Sequence, residues 1–296
     1  MLKHYLRQAA LAATQFAFAR RQFKLFLRIT LGDLDLRMHA LAAATNFFAP
    51  AIRSMEIKPP FGASMLVVAP HQDDEVIGCG GAMALQRRNG RAVKVVVLQD
   101  GADEHQQVLM TREALCERRN EESRAAARVI DAEEPSFLGK RDLRADTPAV
   151  AAALREIIES RRADVVFTPF VLDGDRDHRA SNVALAMALK DIKRRIRVLQ
   201  YEVWANCIPN VVVVLDDVME QKTKMMSCFN FANAAVNYTH ATVGLNMFQS
   251  RLLPAAKVRY VEAFFESPGE QYVEMVEAVA AAERNRRASV SGARAL

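Results

Sequence analysis

His71, Asp73, Asp74 and Glu75 fall within five residues in PHQDDE (70–75), directly after the apolar run at 65–69. Three carboxylates crowded beside one imidazole would raise their pKa values or cost stability unless a cation neutralised them. An imidazole with a carboxylate three residues on, as in His71 and Asp74, is a reasonable ligand pair for a divalent metal. The adjacent carboxylate is then left free to act as a base. An acidic helix N-terminus stabilised by the helix dipole explains Asp73 to Glu75 as well, but it has no use for His71. A second stretch, DGDRDHR (173–179), follows the apolar run DVVFTP (164–169) and sets His178 among acids. A catalytic zinc usually takes three protein ligands and keeps one position open, and His71, Asp74 and His178 would form such a set. Taken alone, His178 reads better as a surface-loop histidine.

Together, PHQDDE and DGDRDH (173–178) resemble the LmbE/PIG-L family of zinc-dependent N-deacetylases. That family shows (P/A)HPDDE after its first strand and HPDH after a later one. Its members include de-N-acetylases of N-acetylglucosaminyl phosphatidylinositol and of the glucosamine precursors of mycothiol and bacillithiol. The resemblance extends over about residues 64–266. It implies that His71, Asp74 and His178 hold Zn2+ or another divalent metal, with Asp73 as general base. Arg119 and Glu122, in RNEES (119–123), resemble an R-x-x-E element whose Arg helps hold the sugar. Asp177 is expected to fix a neighbouring group's orientation. One departure stands out, because Asp175 replaces the first His of HPDH. That family His stabilises the oxyanion or protonates the leaving amine, and an ionised Asp donates no hydrogen bond. Either Asp175 is protonated, or Arg176, Tyr238 or His240 substitutes as the donor. The implied activity is a metal-dependent hydrolase that removes an N-acetyl group from an N-acetylhexosamine, lipid-linked or a surface-glycan precursor. The alternative is a catalytically impaired metal-binding partner protein of the same fold.

The elements around these residues read as α/β. Strand, polar turn and helix succeed one another from Met65 to a helix C-cap at Gly90, and 92–98 is the next strand of a right-handed βαβ unit. The loop 99–104 should therefore lie beside the first turn, with Asp100, Asp103 or Glu104 able to meet substrate hydroxyls. Helices are predicted over 108–130, 149–160, 181–190 and 216–229, with strands over 135–138, 198–205 and 211–215. Residues 260–264 resemble a C-terminal strand of the family. The expected fold is a Rossmann-like, mostly parallel sheet with helices on both faces. A nucleotide-binding reading fails because the glycines at 78, 80 and 81 follow the acids, which would repel phosphate. Trp204, the only tryptophan, either stacks on a sugar or is a half-buried structural residue. Cys79 reads as helix packing.

The chain has 296 residues, 51% of them hydrophobic, and a net charge of +5. That suits one α/β domain with an added segment, and no nucleic-acid module is present. The expected division is a helical extension (1–60), a catalytic domain (61–282) and a flexible tail (283–296), with a linker at 58–62. No acidic residue occurs from Met1 to Gly32, where Arg20, Arg21 and Lys24 accompany Phe16, Phe23 and Phe26. Such a helix packs on the catalytic domain or a second subunit as a homo-oligomer, lies on a membrane through residues 1–30, or is a secretory signal. Four scattered cysteines without a C-x-x-C pair point to reduced thiols and a cytoplasmic protein, peripheral on the membrane in the second of those readings.

Overall fold

The computed structural model describes residues 54–102, 110–253 and 257–293, with side chains as far as Arg284. The expectations for residues 1–53, and for Asp103 and Glu104, lie outside the described residues. Residues 52–278 form one compact unit, and the chain from residue 279 onward belongs to another. Among the described residues, no helix is long and apolar enough to cross a membrane.

The unit of residues 52–278 is built on a single sheet. Its strands are β1 (Met55–Glu56), β2 (Ser64–Ala69), β3 (Ala92–Gln99), β4 (Ser136–Lys140), β5 (Val165–Pro169), β6 (Arg197–Tyr201), β7 (Val211–Val214) and β8 (Val261–Pro268). They run in the order β1-β7-β8-β6-β5-β2-β3-β4. All pairings are parallel except those of β8 with β6 and β7. The near-continuous Val, Leu and Phe of β2, β3 and β5 are what strands covered on both sides require. The helices are α1 (Asp74–Arg88), α2 (Arg112–Val129), α3 (Thr147–Ser160), α4 (Arg176–Lys190), α5 (Met219–Met226), α6 (Asn230–Ala235), α7 (Tyr238–Gln249) and α8 (Gly269–Ala293). Residues of α1, α2 and α5 form one core with Val67, Val95 and Phe167. Leu154 and Ile158 of α3 and Leu185 of α4 are buried apart from that core, where α3 and α4 pack together.

α1 is broken at Cys79, where φ is −145° and ψ 22°. In an unbroken helix the Gly81 N–H would bond the Ile77 carbonyl. Here Lys222 Nζ donates to Ile77 O (2.9 Å), and Glu262 accepts the N–H groups of Gly81 (2.7 Å) and Ala82 (2.8 Å). Lys222 and Glu262 are themselves paired at 2.7 Å, both wholly buried. The glycines serve this close approach: a Cβ at Gly78 would stand 2.0 Å from the Tyr201 ring, and one at Gly81 2.4 Å from Leu215. Cys79 packs inside the kink, as expected of it, and its Sγ donates to Glu75 O.

Several boundaries differ from the sequence reading for identifiable reasons. α4 begins at Arg176 rather than 181 because Asp175 caps it, accepting the N–H groups of Asp177 (2.7 Å) and His178 (3.2 Å). His178 is thus fixed in a first helical turn, not carried on a loop. β6 stops at Tyr201, since Glu202 turns inward to accept the Cys207 N–H. α5 starts at Met219 because the Asp216 carboxylate is held by the N–H groups of Arg259 and Tyr260. Residues 237–240 are the capped start of α7.

Candidate active site

β2 and β5 are adjacent parallel strands, so the segments that follow their carboxyl ends meet. The His71 and His178 rings lie 5.5 Å apart. Asp74 Oδ2 stands 3.2 Å from His71 Nδ1 and 3.2 Å from His178 Nε2. The three donors lie within 4.8 Å of one another. Both His178 ring nitrogens are buried and lack a well-directed hydrogen-bond partner. Buried polar atoms are otherwise satisfied as a rule, so this donor set fits a divalent cation held by two imidazoles and a carboxylate. A second group, His71, Asp175 and Asp177, shares one imidazole with the first.

The electrostatics follow from this crowding. Burial alone would lower the His71 pKa, yet hydrogen bonds to Asp177 and Asp74 raise it to about 9. His178 is likewise opposed by burial and raised to about 11 by the carboxylates of Asp74 and Asp173. Burial would push Asp74 up, but the two histidines hold it below the usual carboxylate range. Asp73 is raised to about 7 by burial and then by the Asp74 charge, with Arg119 pulling the other way. Burial raises Glu75 to about 8.

Asp73 sits at φ 113°, a left-handed conformation that non-glycine residues rarely adopt. Strain of this kind costs on the order of 1–3 kcal/mol and persists only where neighbours enforce it. Here Glu75 Oε2 accepts the Asp73 N–H (2.9 Å), while Glu75 Oε1 accepts from Ser123. Arg119 donates to the carbonyls of Gly101 (3.0 Å) and Gln72 (2.9 Å) and stands 3.8 Å from Asp73 Oδ2.

These groups line a cleft of about 560 Å³. His71, Asp73, Asp74, Arg119, Asp175 and Asp177 face it. His178 lies beneath its surface, wholly buried. Asp177 is 3.5 Å from His71 Nε2 and accepts from Gln99 Nε2. Glu122 is not brought to the cleft: its carboxylate accepts the Phe231 N–H (3.0 Å) and so holds the start of α6. Asp100 pairs with Arg112 at 2.5 Å. Of the three substitute donors, only Tyr238 reaches the cleft.

Several groups at or beneath the cleft were not singled out in the sequence. Arg141 and Phe231 line the cleft. Asp173, wholly buried, places Oδ2 3.2 Å from His178 Nδ1. Its position in DGDRDHR was visible, but not which of three acids would turn toward the imidazole.

Residues 66–189 match the model of the PIG-L family, described as GlcNAc-PI de-N-acetylase, so the resemblance carried by the two motifs holds over that segment. No curated protein matches the chain. Among solved structures, the N,N'-diacetylchitobiose deacetylase of Pyrococcus horikoshii is similar with a TM-score of 0.61 and 21% identity, covering 81% of this chain and 96% of that one. A conserved protein of Thermus thermophilus gives 0.57 and 23%, covering 68% and 92%. The 4-carboxy-2-hydroxymuconate hydratase of Pseudomonas putida gives 0.56 and 21%, covering 69% and 96%. At these identities the likeness shows the fold, and a hydratase shares it.

Proposed function

Taking residues 66–189 as a PIG-L-family segment, we propose that this protein is a metal-dependent N-deacetylase that hydrolyses the acetamide of an N-acetylated amino sugar. The observation that carries the reading is the convergence of His71, Asp74 and His178 beside Asp73, itself 3.8 Å from Arg119. Two imidazoles and one carboxylate suit zinc in a site with an open position. A bound cation would supply Lewis acidity, polarising the amide carbonyl and acidifying water in the cleft.

The chain's own residues do the rest. Asp73 takes a proton from the attacking water as its oxygen bonds the carbonyl carbon. The carbon–nitrogen bond then breaks, Asp73 returns the proton to the nitrogen, and acetate and a free amine leave. In the ion-free protein, burial and the Asp74 charge raise this carboxyl group to about 7. A cation bound beside it would draw that value down, so Asp73 would meet the water as an ionised base near neutral pH. Arg119 orients Asp73 and, through the carbonyls of Gln72 and Gly101, joins the first turn to the loop after β3. Because the Asp175 carboxylate is occupied as a helix cap, the Tyr238 hydroxyl is the cleft's candidate donor to the oxyanion. The N,N'-diacetylchitobiose deacetylase among the similar structures supports a sugar acetamide as substrate.

The test is acetate release from a panel of N-acetylated hexosamines, by chelator-treated protein with and without added Zn2+. Release that requires the cation supports the reading. No release from any member, with the cation demonstrably bound, would favour the non-catalytic partner protein instead.

A further inference from the structure

The fold gives no packing reason for Trp204. It is 60% exposed in the loop after β6, and its ring meets Tyr238 edge-on with centroids 5.9 Å apart. Both rings line the cleft. The loop beneath the indole is firmly held. The Trp204 N–H donates to Asp173 Oδ2 (3.0 Å), the carboxylate that also faces His178 Nδ1. Buried Glu202 accepts the Cys207 N–H (2.9 Å) and, on its two oxygens, Gln249 Nε2 (2.9 and 2.7 Å). One hydrogen bond therefore links the position of this indole to the candidate metal site. Tyr238, on its other side, lies close enough to Asp73 and Asp74 for their charges to act on its hydroxyl, after the larger effect of burial.

An exposed indole on a preorganised loop is a flat apolar surface with little ordering entropy left to lose. The hydrolysis site lies at the floor, where His178 is buried, whereas Trp204 stands at the open rim. A ring whose acetamide reaches Asp73 occupies the floor, and whatever is joined to that ring must pass the rim. The C–H face of a pyranose suits such a platform, with its hydroxyls directed to solvent and to polar rim groups such as Arg141.

We propose that Trp204, steadied by Tyr238, is the stacking platform for a second sugar ring glycosidically joined to the acetamido sugar. It thereby sets a preference for glycosides over the free monosaccharide. This inference rests on the amidohydrolase reading and narrows its substrate class.

Trp204 is the only tryptophan in the chain, so intrinsic emission reports on this indole alone. The full-length, Zn2+-loaded protein is titrated with N,N'-diacetylchitobiose, N-acetylglucosamine and octyl N-acetylglucosaminide. A saturable blue shift with the disaccharide, absent at equal concentrations of the monosaccharide, is expected. Trp204→Ala should raise KM for the disaccharide about tenfold while kcat changes less than about twofold, and Trp204→Phe should recover most of the loss. An unshifted emission on disaccharide binding, or an unchanged KM in a folded Trp204→Ala variant, overturns the proposal. So does a shift given by the octyl glycoside and not by the disaccharide, which would mark a site for an alkyl chain. The underlying activity fails separately. If no N-acetylated sugar releases acetate while the disaccharide still shifts the emission, the platform stands and the hydrolase reading falls.

Discussion

Asp173 Oδ2 stands 3.2 Å from Nδ1 of His178, on the side of the ring away from the 3.2 Å contact between Nε2 and Asp74. One imidazole is bracketed by two carboxylates, Asp74 toward His71 and Asp173 on the far side. Such outer partners are worth about 10–100-fold in metal affinity. Asp173→Asn should weaken Zn2+ binding by that range in competition with a chromogenic chelator. An unchanged affinity would leave Asp173 with only its loop contacts.

Asp73→Asn removes the proposed base but leaves the three candidate metal ligands in place. Asn also tolerates positive φ, so the strained turn should hold. Turnover should fall by about 10²–10⁴-fold, the usual contribution of a general base, with metal content by elemental analysis unchanged. Near-wild-type turnover would reassign the base.

The pH dependence of metal binding has a definite sign. In the ion-free protein the acids around them raise His71 to about 9 and His178 to about 11, so both rings hold protons at pH 7. A cation must displace those protons, so its affinity should climb with pH between about 6 and 8. Calorimetry in buffers of different ionisation enthalpy should find protons released, approaching two per cation. Stability of the ion-free protein runs oppositely. A histidine raised above its unfolded pKa of about 6.5 stabilises fully below that value, and the benefit is lost as pH rises through the folded pKa.

Lys222→Met would strand a buried carboxylate and leave the Ile77 carbonyl without its donor. Removing one partner of a buried pair typically costs about 3–5 kcal/mol, so the variant should unfold at a markedly lower denaturant midpoint. Exchanging Lys224, exposed on the same helix and paired with Glu220, should cost under about 1 kcal/mol.

The turn that brings His71 beside Asp74 was legible because a strand end followed by an imidazole and, three residues on, a carboxylate has few other uses. The approach of His178 to that turn was legible because DVVFTP reads as another buried strand, and β2 and β5 are neighbours in the sheet. Lys222 was not legible, since a lysine beside another on a predicted helix reads as solvated. Its burial is set by a break in α1 that no local pattern announces. Asp175 was weighed only as a missing histidine, and its role as a helix cap appears once α4 is seen to start one residue later. Glu122 was singled out by likeness alone, and its contact with the Phe231 N–H, which local pattern does not announce, is seen only in the fold.

Two parts of the molecule near the cleft differ in how far they can be redesigned. On the side of α1, the Tyr201 ring and the Leu215 side chain fill the space where larger residues at 78 or 81 would go. Directed evolution therefore has almost no purchase there, and libraries at those glycines should return mostly dead clones. Trp204, 60% exposed in the loop after β6, is a position where exchange leaves the sheet undisturbed. New substrate range in this scaffold should come from such exposed positions, not from the glycines of α1.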